Sequence, residues 1–274
     1  MATRFEVAGH GGIRLAGLDF GGDGPGVLLL HGAMDRATTW VGTARWLTAY
    51  GHVVAIDQRG HGHSDAPEGP YDRAAFAADA VEAIWQRGLG PALVIGHSMG
   101  GMTAWQVAGR HPALVRGIVI GDMEARRDEG MPDRYREWLA TWPVPFTSLA
   151  EVREFFGAKH AGQGPGQGSA FTENMAEAAD GYRPLYSPDH VLATVEGICA
   201  EPDHFPELAR VWCPALVVHG ELSALDREES LAMAAALPHG RHAEVPGAGH
   251  VLHWDNPDGW RDAVEPFARE LLAG

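Results

Sequence analysis

A serine with a glycine two residues to either side, Gly96-His97-Ser98-Met99-Gly100, is where this chain could carry nucleophilic chemistry. The apolar run Ala92 to Ile95 leads into it and a helix-like run, Met102 to Arg110, leads out, so the segment reads as strand, sharp turn and helix. Glycines suit those two places because a Cβ there would collide with the neighbouring strand or helix. The Ser98 hydroxyl then projects from the carboxyl edge of a sheet at the amino end of a helix, where the backbone N–H of Met99 can meet developing negative charge. A serine hydroxyl is nearly inert at neutral pH and needs a base within hydrogen-bond reach, with a third group to orient that base. His250 fits the base. It closes Pro246-Gly247-Ala248-Gly249-His250, directly after the strand-like run Arg241 to Val245, where a loop returns to the same edge of the sheet. His253 precedes Trp254-Asp255 at what reads as the start of the closing helix, so it is expected to pack nearby and not to act as the base.

The orienting acid has three candidates. After the apolar run Ala215 to His219 the chain continues Gly220-Glu221-Leu222-Ser223-Ala224-Leu225-Asp226, which offers Glu221 and Asp226. Asp122 follows Val115 to Ile120, the strand-like run after the helix that Ser98 opens, and would reach the same edge from the neighbouring strand. Asp226 also suits a helix cap or a first-turn charge before Arg227 to Ala236.

The elements that must position these groups are legible as alternating short apolar runs and amphipathic stretches. Arg4 to Val7 and Ile13 to Phe20 read as an opening hairpin, Gly26 to Leu30 and His52 to Ile56 as buried strands, and Arg36 to Tyr50, Tyr71 to Arg87 and Met102 to Arg110 as helices. The alternation predicts an α/β fold with a mainly parallel sheet covered by helices on both faces. From about residue 122 to 206 the rhythm changes to helix formers and aromatics, broken by Pro143, Pro145 and the glycine stretch Gly157 to Gly168. That stretch reads as a mobile loop or gate. Its glycines do not follow a strand and open a helix, which argues against a nucleotide site. The alternating pattern resumes at Pro214 and ends in a helix from Asn256 to Leu272.

Four motifs in this order resemble the α/β-hydrolase family across nearly the whole chain: His31-Gly32 after the strand Gly26 to Leu30, the turn Asp57-Gln58-Arg59-Gly60-His61-Gly62-His63-Ser64, the elbow Gly96-His97-Ser98-Met99-Gly100-Gly101, and Gly247-Ala248-Gly249-His250. The resemblance implies a second oxyanion donor in the N–H of Ala33, beside that of Met99. It also bears on the acid. The commonest pattern has Gly-x-x-Asp after the penultimate strand, where this chain has Ser223; a subset of the family pairs such a Gly-x-x-Ser turn with an acid on the earlier strand, which favours Asp122 and keeps Asp226 as the alternative. The implied organisation is a core from 1–122 and 207–274 with a helical cap inserted at 123–206. The implied activity is a serine hydrolase acting on an ester, lactone, amide or activated C–C bond of a small carbonyl compound through an acyl-enzyme, with no metal or organic cofactor. Alternatives on the same scaffold are a perhydrolase, a cofactor-free dioxygenase, whose elbow usually has a histidine where Met99 sits, and a slowly hydrolysing ligand receptor. Epoxide and haloalkane hydrolases use an aspartate at the position of Ser98 and are disfavoured.

A cap would roof the serine and exclude water. His31, Met34, Trp138, Trp142, Phe146, Tyr186 and Val251 are candidates for the pocket wall, with Phe155, Phe156 and Tyr182 as further aromatics. His31, His61 and His63 also read as braces for their loops. Arg126, Arg127, Arg134 and His160 could meet a carboxylate or phenolate on a substrate, although solvated surface charge is the commoner fate of such groups. Composition bounds the rest. At 274 residues, 45% apolar and 21% charged, the chain reads as a globular protein able to bury a full core. A net charge of -15 repels nucleic acid and anionic membrane. No apolar run approaches the roughly 20 residues of a membrane helix, and Met1 to Glu6 lacks the apolar core of a signal peptide, so the cytoplasm is the default. Two cysteines, Cys199 and Cys213, make no disulfide framework or metal spacing. A homodimer is compatible with the sequence.

Overall fold

Gly26–Leu30 (β3) is buried at every residue and apolar throughout after its glycine, a composition suited to a strand covered on both faces. Its side chains divide by parity. Leu28 and Leu30 enter one apolar cluster with Phe76 and Trp105, while Val27 and Leu29 enter another with Trp40, Trp260 and Phe267. The same alternation holds in Ala92–His97 (β5) and, from Ile118 on, in Val115–Gly121 (β6). Preceding and following them are Thr3–Ala8 (β1), Arg14–Gly21 (β2), His52–Ile56 (β4), Ala215–Gly220 (β9) and Gly240–Val245 (β10). In this computed structural model, which describes residues 2–126, 129–157, 166–201 and 203–273, these eight strands form one sheet in the order β1-β2-β4-β3-β5-β6-β9-β10. The pairs β1-β2 and β2-β4 are antiparallel and all the others parallel. One edge of the sheet therefore collects the carboxyl ends of β3, β5, β6, β9 and β10, and every candidate chemical group follows one of those strands.

Helices cover both faces: Val41–Leu47 (α1), Arg73–Gln86 (α2) and Met99–Arg110 (α3) early in the chain, Arg227–Ala236 (α9), Leu252–Asp255 (α10) and Pro257–Leu272 (α11) late. Their starts follow side-chain chemistry. Asp72 accepts from Ala75 N at the head of α2, Asp226 from Glu228 N at α9, and Asn256 from Gly259 N at α11, whose first residue is Pro257. The helix expected over Arg36 to Tyr50 is instead a short 3-10 turn, Ala37–Trp40, followed by α1. The Asp57 carboxylate takes the Ala37 N–H at 2.7 Å and the Thr39 hydroxyl is engaged by His253 and Trp254, which holds this stretch to tertiary partners. Helix α3 begins at Met99, three residues before the apolar pattern suggested, because Gly100 and Gly101 conceal the helical period.

Between β6 and β9 the chain leaves the sheet and forms Met131–Leu139 (α4), Leu149–Gly157 (α5), Gln167–Glu173 (α6), Pro188–Cys199 (α7) and Phe205–Leu208 (α8). It also forms a hairpin, Met175–Ala178 (β7) with Gly181–Pro184 (β8), where only helices were expected. Neither strand alternates apolar and polar residues, so the turn dipeptide Asp180-Gly181, with Gly181 at φ 138, was the available signal. Trp142, Phe146, Phe156, Phe171 and Tyr186 give this segment an apolar cluster of its own, with the Phe156 and Phe171 rings stacked at 3.8 Å. No helix among the described residues is long and apolar enough to cross a membrane.

Candidate active site

Parallel neighbours β5, β6 and β9 end in step. Their ladder continues past the strands, with Ser98 N donating to Gly121 O and Asp122 N to Val218 O, so Ser98 and Asp122 leave adjacent strands at one level. Both have positive φ, 50° for Ser98 and 45° for Asp122; Met34, on the loop after β3, is at 67°, and these are the non-glycine residues with positive φ among the described residues. Strained backbone of this kind persists where the surroundings over-determine it. At the elbow a Cβ on Gly96 would run into the Gly100 carbonyl, and one on Gly100 into the Leu30 carbonyl, so both flanking glycines are required by close approach. Among the described residues, the N–H groups of Met99 and Ala33 have no acceptor. Both residues lie beside Ser98, and Ala33 lines the same cavities as the serine.

His250 meets Asp122. Its Nδ1 lies 2.8 Å from Asp122 Oδ2, whose side chain is wholly removed from solvent. Asp122 Oδ2 also accepts from the Ser223 hydroxyl at 2.6 Å, and Oδ1 from Gly220 N at 3.1 Å with His219 Nδ1 at 3.4 Å. Burial alone raises a carboxyl pKa, but the hydrogen bonds from His219, His250 and Ser223 and the charge on His250 outweigh it and hold Asp122 well below the usual carboxylate range. The other two acid candidates serve elsewhere. Asp226 caps α9, and Glu221 accepts the N–H of Gly247 at 2.7 Å, bracing the loop that ends in His250.

Two histidines outside the sequence expectation complete this edge. His97 Nε2 is 2.7 Å from the His250 carbonyl, so that nitrogen carries the proton and the ring anchors the backbone of the His250 loop. Burial pushes His97 down to about 3, which keeps it neutral, and the bond to the His250 carbonyl sets its tautomer. His219, at the end of β9, faces the other Asp122 oxygen. Ser223 was visible as a departure from Gly-x-x-Asp; its hydroxyl stands where the commoner carboxylate would and donates to the acid from the adjacent strand. Nothing in the local pattern marked His97 or His219, since both sit inside apolar strands.

Two cavities meet at the serine. One of about 340 Å³ and one of about 210 Å³ are both lined by Ala33, Ser98, Tyr135 and His250. The larger continues past Met34, Trp138 and Val251. The smaller is walled by Met102, Met123, Val195, Ile198 and Leu225. The pocket expectation is corrected at His31, Trp142, Phe146 and Tyr186, which line neither. His31 Nε2 accepts from Gln58 N at 2.9 Å and its Nδ1 donates to Gly32 O at 2.7 Å, so it braces its loop, with burial driving it down to about 4. Trp142, Phe146 and Tyr186 bury their rings in the apolar cluster of the inserted segment, together with Phe155, Phe156 and Tyr182. His253 stacks on Trp40 and bonds Thr39, and so packs. Arg134 lines the larger cavity; Arg126 lines the smaller, with its guanidinium over the Phe205 ring. Arg127, His160 and positions 158–165 of the glycine stretch lie outside the described residues. Among the described residues no group of three or more His, Cys, Asp or Glu side chains could hold a metal ion.

The sequence model of the alpha/beta hydrolase family matches residues 27–263. A 2-(acetamidomethylene)succinate hydrolase of Mesorhizobium japonicum is 28% identical over 248 residues, covering 90% of this chain and 88% of that protein. Among solved structures, an E-2-(acetamidomethylene)succinate hydrolase superposes with a TM-score of 0.87 at 26% identity, over 97% of this chain and 99% of that one. A thermophilic esterase from Thermogutta terrifontis, with malate bound, superposes with a TM-score of 0.79 at 26% identity, over 99% and 100%. The chain belongs to the alpha/beta hydrolase family and is a hydrolase.

Proposed function

We propose that this protein is a serine hydrolase that cleaves the ester, lactone, amide or activated C–C bond of a small carbonyl compound through an acyl-enzyme. Ser98 is the nucleophile, His250 the base and Asp122 the acid that orients it. The observation that carries the reading is the 2.8 Å contact between His250 Nδ1 and the buried Asp122 carboxylate, made by an imidazole that lines both cavities together with Ser98. With Nδ1 donating to Asp122, Nε2 is the basic nitrogen and takes the Ser98 proton as Oγ attacks the carbonyl carbon. The oxyanion is received by the N–H groups of Ala33 and Met99, each worth about 3 kcal/mol of barrier in such a site. Collapse of the intermediate expels the leaving group, protonated by His250. The same imidazole then activates water to release the acid. Residues 123–206 act as the cap, excluding water and forming the far wall of the site. The relatives named as an acetamidomethylene succinate hydrolase and as an esterase support a small carbonyl substrate.

The test is pre-steady-state hydrolysis of p-nitrophenyl acetate. Wild-type protein is expected to release a burst of p-nitrophenolate approaching one equivalent per chain, and Ser98→Ala none. Near-normal hydrolysis by Ser98→Ala overturns the reading.

A further inference from the structure

The larger cavity has a polar wall to which its buried side chains bring acceptors. Helix α6 and the residue after it turn Gln167, Ala170, Phe171 and Asn174 toward the cavity, a spacing of 0, 3, 4 and 7 that places all four on one helical face. The orientation of the Asn174 amide is set by its partners. Nδ2 donates to Asp35 Oδ1 at 3.0 Å and to Ala170 O at 3.1 Å, which uses both amide hydrogens and leaves Oδ1 as an acceptor. Gln167 is 4% exposed, and its Oε1 is buried without a hydrogen-bond partner among the described residues. Asp35, on the loop that carries the Ala33 N–H, adds a half-buried carboxylate to the same wall. A buried acceptor left unpaired costs about 1–3 kcal/mol, so Gln167 Oε1 favours a ligand that brings a donor, and the Asp35 carboxylate on the same wall favours one that is positively charged. Arg134 also lines this cavity, but it is exposed, whereas Gln167 and Asn174 are buried.

We propose that Asp35, Gln167 and Asn174 form a subsite for an ammonium group that the substrate carries on one side of its scissile carbonyl. The inference rests on the reading of Ser98 and His250 given above and narrows the substrate class to a cationic ester or amide whose other side is apolar enough for the smaller cavity. A carboxylate in this place would face the Asp35 charge and the Gln167 and Asn174 oxygens, and Arg36, the half-buried cation that acts on Asp35, does not line the cavity.

The experiment compares n-butylammonium, 1-butanol and butanoate at pH 8, where Asp35 is ionised, since burial raises its carboxyl only to about 6. Each probe is tested as a competitive inhibitor of p-nitrophenyl acetate hydrolysis by wild-type protein, and by calorimetry on full-length Ser98→Ala. Butylammonium is expected to bind about tenfold or more tightly than butanoate, with the alcohol between, from charge-assisted hydrogen bonds of about 1.5–3 kcal/mol. Asp35→Asn is expected to shrink that preference to less than about twofold, and Gln167→Leu to weaken the ammonium and the alcohol alike by roughly fivefold. Butanoate binding as tightly as butylammonium overturns the proposal, as does an unchanged ranking in Asp35→Asn. If Asp35→Asn does not fold, the wild-type ranking and Gln167→Leu decide. Binding to Ser98→Ala does not depend on turnover, so a wrong ranking counts against the subsite alone, whereas persistent hydrolysis by Ser98→Ala counts against the nucleophile.

Discussion

The eight-stranded sheet carries an apolar cluster on each face and the segment between β6 and β9 is built around a third, and the two regions do different work. In the sheet, side chains alternate between two faces, and the strand ends deliver Ser98, Asp122, Ser223 and His250 to one edge through ladder bonds and short loops. In the inserted segment the aromatics pack on one another, and α4 and α6 present residues to the space above Ser98. The residues proposed to react are thus held by the backbone of the sheet. The wall they face is held by a separate cluster that can vary without disturbing them. Substitution of Ser98 should therefore abolish chemistry while leaving stability intact, and substitution of the packed aromatics of the inserted segment should do the reverse.

The largest effect is expected from Ser98→Ala, about 10⁶-fold in kcat with the melting temperature held or raised, because the substitution relieves no packing and removes only the nucleophile. Asp122→Asn should follow at about 10⁴-fold, since an amide cannot fix the same imidazole tautomer. Asp226→Asn, at a helix cap, should change turnover less than about twofold, because asparagine caps as well as aspartate. Steady-state kinetics on the pair decides which carboxylate orients His250, and the reverse ranking would move the acid to β9.

Acid tests the sheet side alone. Burial lowers His31, His61 and His97 to about 4, 3 and 3 from an unfolded value near 6.5. The unfolded chain therefore binds more protons than the folded one between those limits, and the stability these groups supply is complete above about pH 6.5 and is lost as pH falls toward 4. Asp122 adds a component present above its unfolded value of 3.8 and lost below it. Calorimetry from pH 7 to 4 should show a steadily falling melting temperature; a flat profile would mean that these rings are not buried as neutral groups.

Phe156→Ala probes the other side. Phe156 is 1% exposed and stacks on Phe171, so its loss should cost about 3–5 kcal/mol of local stability. Hydrogen exchange should rise through α4 to α7 while protection of β3, β5 and β6 is retained. Uniform loss of protection would show that the sheet and the inserted segment unfold as one. Ser223→Ala removes one hydrogen bond to a charged oxygen and should lower kcat about 10-fold or somewhat more, with KM little changed.

The same contrast explains what the sequence made legible. The sheet strands announce themselves because a short apolar run bounded by turn residues has few other readings, and the elbow glycines name their own steric requirement. The Gly-x-x-Ser turn favoured Asp122 over Asp226 from sequence alone, and the contact between His250 and Asp122, across 128 positions, is what the sequence could not display. The wall of the site was far less readable. Trp142, Phe146 and Tyr186 look alike in a sequence whether they face a ligand or each other, and here they face each other. Asp35, Gln167 and Asn174 gave no signal because their juxtaposition depends on how α6 docks against the loop after β3.

The most direct test of the whole account is intact-mass spectrometry after exposure to an alkyl fluorophosphonate. One adduct per chain, mapped to Ser98, absent in Ser98→Ala and formed far more slowly in Asp122→Asn, is the predicted result. Labelling of another residue, or full-rate labelling of Asp122→Asn, would contradict the claim that this serine is activated by an imidazole held against Asp122.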